Sequence, residues 1–270
     1  MADNSAQRTS AAYRLPALDP DFLLGDSMRG VRLQLEYEKA EERLRNWSVR
    51  STIVIFGSAR VRPLGQLPSS ERASQEKQDS ARWYEEARLF GRIASERGGA
   101  LIANDGLRDN VIATGGGPGI MEAANRGATE AGAPSIGFNI GLPHEQEPNA
   151  YSTPDLTFQF HYFAVRKLHF AMRANALVVF PGGFGTLDEL FELLTLVQTS
   201  KMHRLPTVLV DERYWTSVIN FEALSKAGMI APSDRNLFSF ADTADAIWQT
   251  LKALGLRSGP RLPGQTSIQR

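Results

Sequence analysis

Cysteine is absent from this chain of 270 residues, which excludes disulfides, thiolate catalysis, cysteine-ligated zinc and iron–sulfur clusters. The four histidines do not form a His-Glu-x-x-His pattern, so we interpret His161 and His169 as partly buried or polar-edge side chains rather than metal ligands. We therefore expect no metal and no redox cofactor.

Net charge is also lacking, because 30 cationic side chains are balanced by 30 anionic ones. A chain without a basic excess has no electrostatic footprint for non-specific nucleic-acid binding, and no nucleic-acid partner is predicted. Arginine supplies 24 of the 30 cations, which suits the recognition of anions.

Long apolar runs are missing too. No stretch of about 18 apolar residues is present, and the polar N-terminus, Met1 to Ser10, contains no signal-peptide core. We therefore expect a cytoplasmic protein that does not bind membranes. With 42% hydrophobic residues, the chain can bury one large core.

Three familiar site signatures cannot be found. A dinucleotide fingerprint, Gly-x-Gly-x-x-Gly, should occupy the first strand-to-helix turn, but that turn reads Gly57-Ser58-Ala59-Arg60. A Walker loop and a Gly-x-Ser-x-Gly nucleophile elbow are absent as well. The sequence thus gives no support for dinucleotide binding, P-loop NTP hydrolysis or serine-hydrolase chemistry.

Two glycine-rich turns dominate what is present. Thr114–Glu122 reads Thr-Gly-Gly-Gly-Pro-Gly-Ile-Met-Glu, and Pro181–Glu189 reads Pro-Gly-Gly-Phe-Gly-Thr-Leu-Asp-Glu. Each follows a short β-like run and precedes a helix-like run. In parallel α/β sheets such turns place backbone N–H groups and a positive helix end against a phosphate.

The second turn therefore predicts a phosphate site, and the alternative is a tight strand-to-helix turn without a ligand. Three glycines with a proline and a threonine favour the phosphate site. The predicted substrate-binding groups are the amides of Gly182, Gly183, Gly185 and Thr186, the Thr186 hydroxyl, and, from the neighbouring turns, Gly116, Gly117 and Ser58.

Short strand-like and helix-like segments alternate from 52 to 254. This rhythm predicts an α/β fold, a Rossmann-like, doubly wound and mainly parallel sheet of about seven strands with helices on both faces. The predicted parts are a disordered or loosely docked tail (1–20), an N-terminal helical extension (21–50), a Rossmann-like domain (51–255) whose nucleotide-binding and catalytic role is implied by the resemblance given below, and a disordered tail (256–270).

Within this frame several local predictions are specific. A helix over 27–47 carries an apolar stripe of Leu33, Tyr37, Ala40, Leu44 and Trp47, which must pack on its own sheet or on another subunit. Residues 61–80 have no periodicity and predict a mobile loop near the mouth of the site. One helix is predicted over 215–226 and a last strand over 237–240.

The Pro-Gly-Gly-x-Gly-Thr-x-x-Glu and Gly-Gly-Gly-Pro-Gly-Ile-Met-Glu turns, with the pair Arg166-Lys167, resemble the LOG family of cytokinin riboside 5′-monophosphate phosphoribohydrolases. The resemblance covers about 51–255. Although the family was long labelled lysine decarboxylase-like, no lysine here lies in a recognisable pyridoxal phosphate context.

This resemblance implies hydrolysis of the N-glycosidic bond of AMP, or of an N6-substituted AMP, to free base and ribose 5-phosphate. It implies that Arg166 and Glu189 are catalytic and that Lys167 contributes to substrate binding. Glu122, in the first turn of the helix after Gly119, either binds ribose hydroxyls or only favours the helix N-terminus.

Both catalytic residues have a simpler interpretation. The spacing Thr186-x-x-Glu189 fits a capping box, in which the glutamate turns back to its own helix and cannot face a ligand. On spacing alone, capping is favoured for Glu189. Arg166 could equally form a solvated ion pair on a helix face.

Two other functions compete with the enzyme. One is a non-catalytic carrier of a nucleotide or molybdopterin-type cofactor, and the other is an interaction protein whose glycine turns sense a nucleotide. The presence of both Arg166 and Glu189 favours the enzyme.

Phosphate anchoring predicts that AMP is cleaved whereas adenosine is not, because binding energy from the remote phosphate positions the sugar carbon C1′. EDTA should leave the rate unchanged. Free adenine measured by chromatography tests both expectations. Equal cleavage of adenosine would contradict the role of the Pro181–Thr186 turn, and inhibition by EDTA would contradict a metal-free reaction.

The stripe before the first strand and the resemblance, whose family forms dimers and larger assemblies, predict a homo-oligomer. We expect at least a dimer, with a hexamer as the larger alternative. Light scattering at micromolar concentration checks this, and a fully active monomer would refute it.

Overall fold

The computed structural model describes residues 3–71, 74–101, 105–141 and 147–258. The strands are β1 (Thr52–Phe56), β2 (Val111–Thr114), β3 (Ser135–Ile140), β4 (Thr157–Phe160), β5 (Ala174–Val179), β6 (Thr207–Val210) and β7 (Ser239–Ala241). The α-helices of this described part are α1 (Ser5–Thr9), α2 (Pro20–Leu24), α3 (Arg29–Asn46), α4 (Gln75–Arg97), α5 (Ile120–Glu130), α6 (Phe163–Arg173), α7 (Phe184–Gln198), α8 (Glu212–Val218), α9 (Phe221–Lys226) and α10 (Ala244–Ala253).

The strands form one sheet in the order β4-β3-β2-β1-β5-β6-β7, and every pair is parallel. The chain winds outward from β1 to β4 and then returns to β5 on the other side of β1. This reversal is the switch point at which open α/β sheets bind ligands. The predicted doubly wound parallel fold is confirmed.

Alternating side chains of β1 show how the sheet builds two cores. Val54 and Phe56 point into one apolar layer, whereas Ile53 and Ile55 point into the other. The first layer also contains Phe170, Leu190 and Trp215 from α6, α7 and α8. The second is closed by residues of α4, α5 and α10 such as Phe90, Ala123 and Trp248.

The N-terminal extension packs on the first layer of its own chain. Ala40 and Leu44 of α3 are buried there, and Leu33, Tyr37 and Trp47 pack against it. The predicted stripe therefore uses the sheet domain as its partner surface. Large apolar side chains are exposed elsewhere on the extension, such as Leu24 and Leu35, and at the starts of α6 and α7. Assembly remains a prediction that no longer depends on the stripe.

Polar contacts join α3 to α6 as well. The two carboxylate oxygens of Glu36 accept the backbone N–H groups of His161 and Tyr162 at 2.8 and 3.2 Å. These groups precede the first turn of α6, where N–H groups lack helical acceptors. Glu36 thus fixes the start of α6 from outside that helix.

Three local predictions need correction. Helix α4 begins at Gln75, so 75–80 is helix rather than loop. The first turn of α4 is exposed and polar, and it therefore lacks the apolar periodicity that would have predicted a helix. Residues 72 and 73 of the predicted loop lie outside the described part. The helix predicted over 215–226 is two helices, since Asn220 caps α9 by accepting the Ala223 N–H. Strand β7 begins at Ser239, later than predicted.

Both ends of the chain contain more ordered structure than the predicted tails. Residues 5–28 form short helical turns with mostly exposed side chains. At the other end Leu256 is buried, and the Arg257 carbonyl accepts the side-chain amides of Asn110 and Asn175. Residues 259–270, most of the predicted C-terminal tail, lie outside the described residues.

A buried charge cluster lies between α3 and α6. The Glu41 carboxylate accepts Nη1 and Nη2 of Arg173 at 2.5 and 3.0 Å, and its Oε1 lies 3.6 Å from Nδ1 of His169. His169 is 1% exposed, between Tyr37 and Phe138. Burial lowers the pKa of His169 to about 4, against the opposing attraction of Glu41.

This cluster predicts acid sensitivity of the fold. Between pH 6.5 and 4 the unfolded chain protonates His169 while the folded chain does not, so the free energy of unfolding falls as pH falls, by about 3 kcal/mol at most. Thermal melts of the parent and His169→Phe over this range measure the effect.

The variant should lose much of the pH dependence because its ring is never charged. His161→Phe, at an exposed position, is the matched control and should melt as the parent does. If the melting temperatures of the parent and of His169→Phe fell equally between pH 6.5 and 4, His169 would not be the source of the acid sensitivity.

Candidate functional site

Three strand ends meet at the switch point of the sheet. The turns after β2, β1 and β5 are adjacent because these strands are neighbours in that order. Ser58, after β1, donates its N–H to the Pro181 carbonyl at 3.0 Å, and its own carbonyl accepts the Ile120 N–H at 3.1 Å. Ser58 therefore ties both glycine-rich turns to the centre of the sheet.

The second turn ends earlier than the sequence indicates. Helix α7 begins at Phe184 with Gly183 as its N-cap, and no side chain caps it. Thr186 is thus the third helical residue, and the capping-box interpretation of Glu189 is wrong. The first N–H groups of α7 have no helical acceptors and leave a positive helix end at the turn.

The glycines of this turn serve two purposes. A Cβ on Gly182 would lie 2.1 Å from Oγ1 of Thr186, so the turn closes only with glycine there. A Cβ on Gly183 or Gly185 would meet nothing within 4 Å. Gly183 and Gly185 therefore border open space, and their backbone is accessible to a ligand.

The first turn is closed on itself. The Gly116 N–H donates to Oγ1 of Thr114 at 3.0 Å, and the Gly116 and Gly117 carbonyls accept the backbone and side-chain N–H groups of Asn149. Gly116 has a φ of 71°, and a Cβ there would lie 2.3 Å from the Asn139 amide. The Gly116 N–H is therefore hydrogen-bonded within the turn, and substrate binding at Gly116 and Gly117 stays a prediction.

Arg166 and Glu189 come together between the two turns. Nη1 of Arg166, on α6, lies 3.2 Å from Oε1 of Glu189, on α7, and the side chains are only 11% and 7% exposed. Arg166 is therefore not on a solvated helix face. This burial excludes the simpler interpretation of Arg166 as a surface ion pair.

Further contacts hold the guanidinium in place. Nε of Arg166 donates to the Phe138 carbonyl at 2.9 Å, and its Cζ lies 5.2 Å from the centre of the Phe170 ring. A Cβ on Gly115 would lie 2.9 Å from Nη2, so the first turn closely borders the arginine. Arg166 thus bridges the first turn to the carboxylate beside the second.

Burial sets the protonation of this pair. Desolvation raises the pKa of Glu189 to about 7, although Arg166 and Lys167 oppose the shift. Burial also lowers the pKa of Arg166, against the attraction of Glu189. A carboxyl that titrates near neutrality can accept or hold a proton in a reaction at physiological pH.

The other predicted polar residues lie around this pair. Nζ of Lys167 lies 2.9 Å from the Asp188 carboxylate and 3.2 Å from that of Glu192. Burial lowers the pKa of Lys167, but the two carboxylates outweigh it and raise the pKa above its ordinary value. Lys167 therefore links α6 to α7 by ion pairs. The Glu122 carboxylate is half-buried and accepts the Tyr84 hydroxyl at 2.7 Å, which leaves its second oxygen for other partners.

Sequence reasoning missed the residues that hold the turns. Asn149 supports the first turn, and Tyr214 donates its hydroxyl to the Gly182 carbonyl at 2.7 Å. Tyr214 follows the end of β6, at the same sheet edge as the glycine turns. Its place after a predicted strand could have marked it as a candidate site residue. Asn149 had none, because it is distant in sequence from the turn that it supports.

Within the residues that the structure describes, no group of three or more histidine, aspartate or glutamate side chains is placed to hold a metal ion. No described helix is long and apolar enough to cross a membrane.

Comparisons with known proteins agree with the resemblance noted from the turns. Residues 121–251 match the family described as "Possible lysine decarboxylase". A probable cytokinin riboside 5′-monophosphate phosphoribohydrolase from Oryza sativa subsp. japonica is 33% identical over 32% of this chain and 42% of its own length. A cytokinin riboside 5′-monophosphate phosphoribohydrolase from Arabidopsis thaliana is 29% identical over 54% of this chain.

The chain spans 42% and 64% of the lengths of these two relatives. Among solved structures, a molybdenum cofactor binding protein from Rippkaea orientalis is 18% identical with a TM-score of 0.49, covering 76% of this chain and 98% of its own. The molybdenum cofactor carrier protein from Chlamydomonas reinhardtii has 19% identity and a TM-score of 0.46, at the same coverage of both chains. Likenesses this distant do not bear on function.

The geometry predicts how Glu189 titrates. We expect a midpoint of about 7 in a carboxyl ¹³C NMR titration, with the signal assigned by its loss in Glu189→Gln. Arg166→Met should raise the midpoint, because the opposing positive charge is removed. A midpoint near the ordinary value of 4.5 would show that burial does not control this carboxyl.

Proposed function

We propose that this chain, which resembles the LOG family in both glycine turns and over residues 121–251, is a nucleoside 5′-monophosphate phosphoribohydrolase. Its substrate is AMP or an N6-substituted AMP, and its products are the free base and ribose 5-phosphate. The observation that carries the proposal is the buried Arg166–Glu189 pair beside the open end of α7.

Cleavage of an N-glycosidic bond passes through an oxocarbenium-like sugar. Such a reaction requires a carboxylate near the ring, a positioned water and help for the departing base. Glu189 supplies the carboxylate, which stabilises the cationic sugar or accepts a proton from the attacking water. Its raised pKa of about 7 suits the second role near neutral pH.

The open end of α7 is the proposed phosphate site. Its free N–H groups and helix dipole favour a dianion, and the backbone at Gly183 and Gly185 borders open space. Glu189 lies farther along the same helix. A phosphate held at the first turn therefore brings the sugar toward the carboxylate.

Arg166 orients the phosphate or the ribose and balances the charge of Glu189. A guanidinium is too basic to be an ordinary proton donor, so its role is electrostatic. Lys167 contributes to substrate binding by holding α6 beside α7 through its ion pairs with Asp188 and Glu192. Glu122 binds a ribose hydroxyl with the oxygen that Tyr84 does not occupy.

Glu189→Gln tests the central residue. Since glutamine has almost the shape of glutamate but cannot act as a base or stabilise a cation, we expect AMP turnover to fall by about two orders of magnitude or more with the fold retained. AMP binding, measured by calorimetry, should persist. Glu222→Gln, an exposed residue of α9 paired with Lys226, is the matched control and should keep parental activity.

The pH profile provides a second readout of the same variant. If the ionised carboxylate is the active form, kcat/KM of the parent rises with pH through about 7, and the residual activity of Glu189→Gln lacks this limb. Turnover by Glu189→Gln near the parental rate would contradict the proposal. AMP binding without adenine release by the parent would favour a carrier instead.

A further inference from the structure

Tyr214 and its surroundings form a polar cluster that the proposed reaction does not use. Strand β6 lies beside β5 in the sheet, with Leu209 opposite Val179, so the residues after each strand emerge at the same edge. Asp211 follows β6 directly, and Pro181-Gly182-Gly183 follows β5. The start of α8 is thus adjacent to the open glycine turn.

Asp211 anchors this cluster. It is 4% exposed, and its carboxylate accepts Nη2 of Arg82 at 3.0 Å, Nε1 of Trp83 at 3.0 Å and the backbone N–H of Tyr214 at 3.2 Å. Its φ of 70° is a left-handed conformation that costs energy for a residue other than glycine. The bonds of its side chain keep Asp211 in this conformation.

Tyr214 is held from two directions as a result. Its N–H is bonded to Asp211, and its ring packs edge-on against Trp83 with centroids 5.7 Å apart. The hydroxyl then has a defined position, from which it donates to the Gly182 carbonyl at 2.7 Å. A side chain held in this way restrains whatever group it binds.

The Gly182 carbonyl belongs to the same peptide unit as the Gly183 N–H. Because no described peptide bond is cis, that carbonyl and that N–H point in opposite directions across one rigid plane. When Tyr214 holds the oxygen on one side, the N–H is directed to the other. Gly183 borders open space, and both flanking residues of this peptide are glycines, which restrict its orientation less than other residues do.

We propose that Tyr214 is a positioning residue, which holds the Gly182–Gly183 peptide so that the Gly183 N–H faces the phosphate of the ligand. The inference rests on the proposed function, since it assigns to the turn a phosphate ester as its ligand. Asp211, Arg82 and Trp83 act through Tyr214. The hydroxyl itself does not touch the ligand.

Tyr214→Phe is the direct test, because it removes only the hydroxyl and keeps the ring against Trp83. Calorimetry with inorganic phosphate and with ribose 5-phosphate should show Kd values raised about fivefold, the loss expected for one hydrogen bond that orders a binding group. The KM for AMP should rise by a similar factor, with a smaller change in kcat.

Tyr162→Phe is the matched control. Tyr162 is also half-buried, and its hydroxyl accepts one hydrogen bond, from Nε of Arg32 at 3.1 Å, instead of binding the second glycine turn. Its Kd for ribose 5-phosphate should equal that of the parent. Each variant removes one hydrogen-bonded hydroxyl, so the melting temperatures should fall by similar amounts. Weaker binding of ribose 5-phosphate in Tyr214→Phe alone then reports a local effect on the turn.

Each outcome decides the inference. Unchanged Kd values in Tyr214→Phe, equal weakening in both variants, or loss of the fold in Tyr214→Phe would overturn it. A parent that binds neither phosphate nor ribose 5-phosphate would overturn it too. If the parent binds both but releases no adenine from AMP, only the hydrolase proposal fails, and the ratio of Kd values still tests Tyr214.

Discussion

The buried ion pair between Arg166 and Glu189 is the interaction on which the rest of the site depends. Two charges that are removed from water are tolerated only when each has close partners, because desolvation costs several kcal/mol for each ion. The partners here are the Phe138 carbonyl, the Phe170 ring and the carboxylate itself. Desolvation outweighs these partners at Glu189 and raises the pKa of its carboxyl to about 7. A carboxyl whose pKa is close to the ambient pH is suited to proton transfer. Burial of the pair therefore both lowers the stability of the fold and prepares Glu189 for its proposed role.

The pair also explains the contacts of the N-terminal extension. Arg166 reaches Glu189 only if α6 keeps its position beside α7, and α3 fixes α6 at both ends. Glu36 holds the backbone before the first turn of α6, while Glu41 binds Arg173 in its last turn. The apolar stripe of α3 covers the core between these two anchors. A segment that precedes the sheet in sequence is therefore part of the structure that positions the candidate site.

The two glycine turns have different physical roles despite their similar sequences. The first is closed by Thr114 and Asn149, which occupy the Gly116 amide and the neighbouring carbonyls, and it borders the guanidinium of Arg166. The second is open, since no side chain caps α7 and Gly183 faces free space. Neither α5 nor α7 has a side-chain cap, but the first N–H of α5, that of Ile120, is taken by the Ser58 carbonyl. Substrate contacts at Gly116 and Gly117 in the first turn stay a prediction.

The sequence by itself determined the parallel sheet, the place of both glycine turns at strand ends and the candidates Arg166 and Glu189. Apolar periodicity and glycine content are local properties, and the right-handed crossover rule converts them into one topology. The resemblance to a family directed attention to the same two residues. Tertiary structure alone decided that α7 begins at Phe184, which removed the capping role of Glu189. It also decided the burial of the Arg166–Glu189 pair and the hydroxyl contact of Tyr214 with Gly182. These features join residues distant in the chain, and their energies depend on desolvation and packing that no local pattern records.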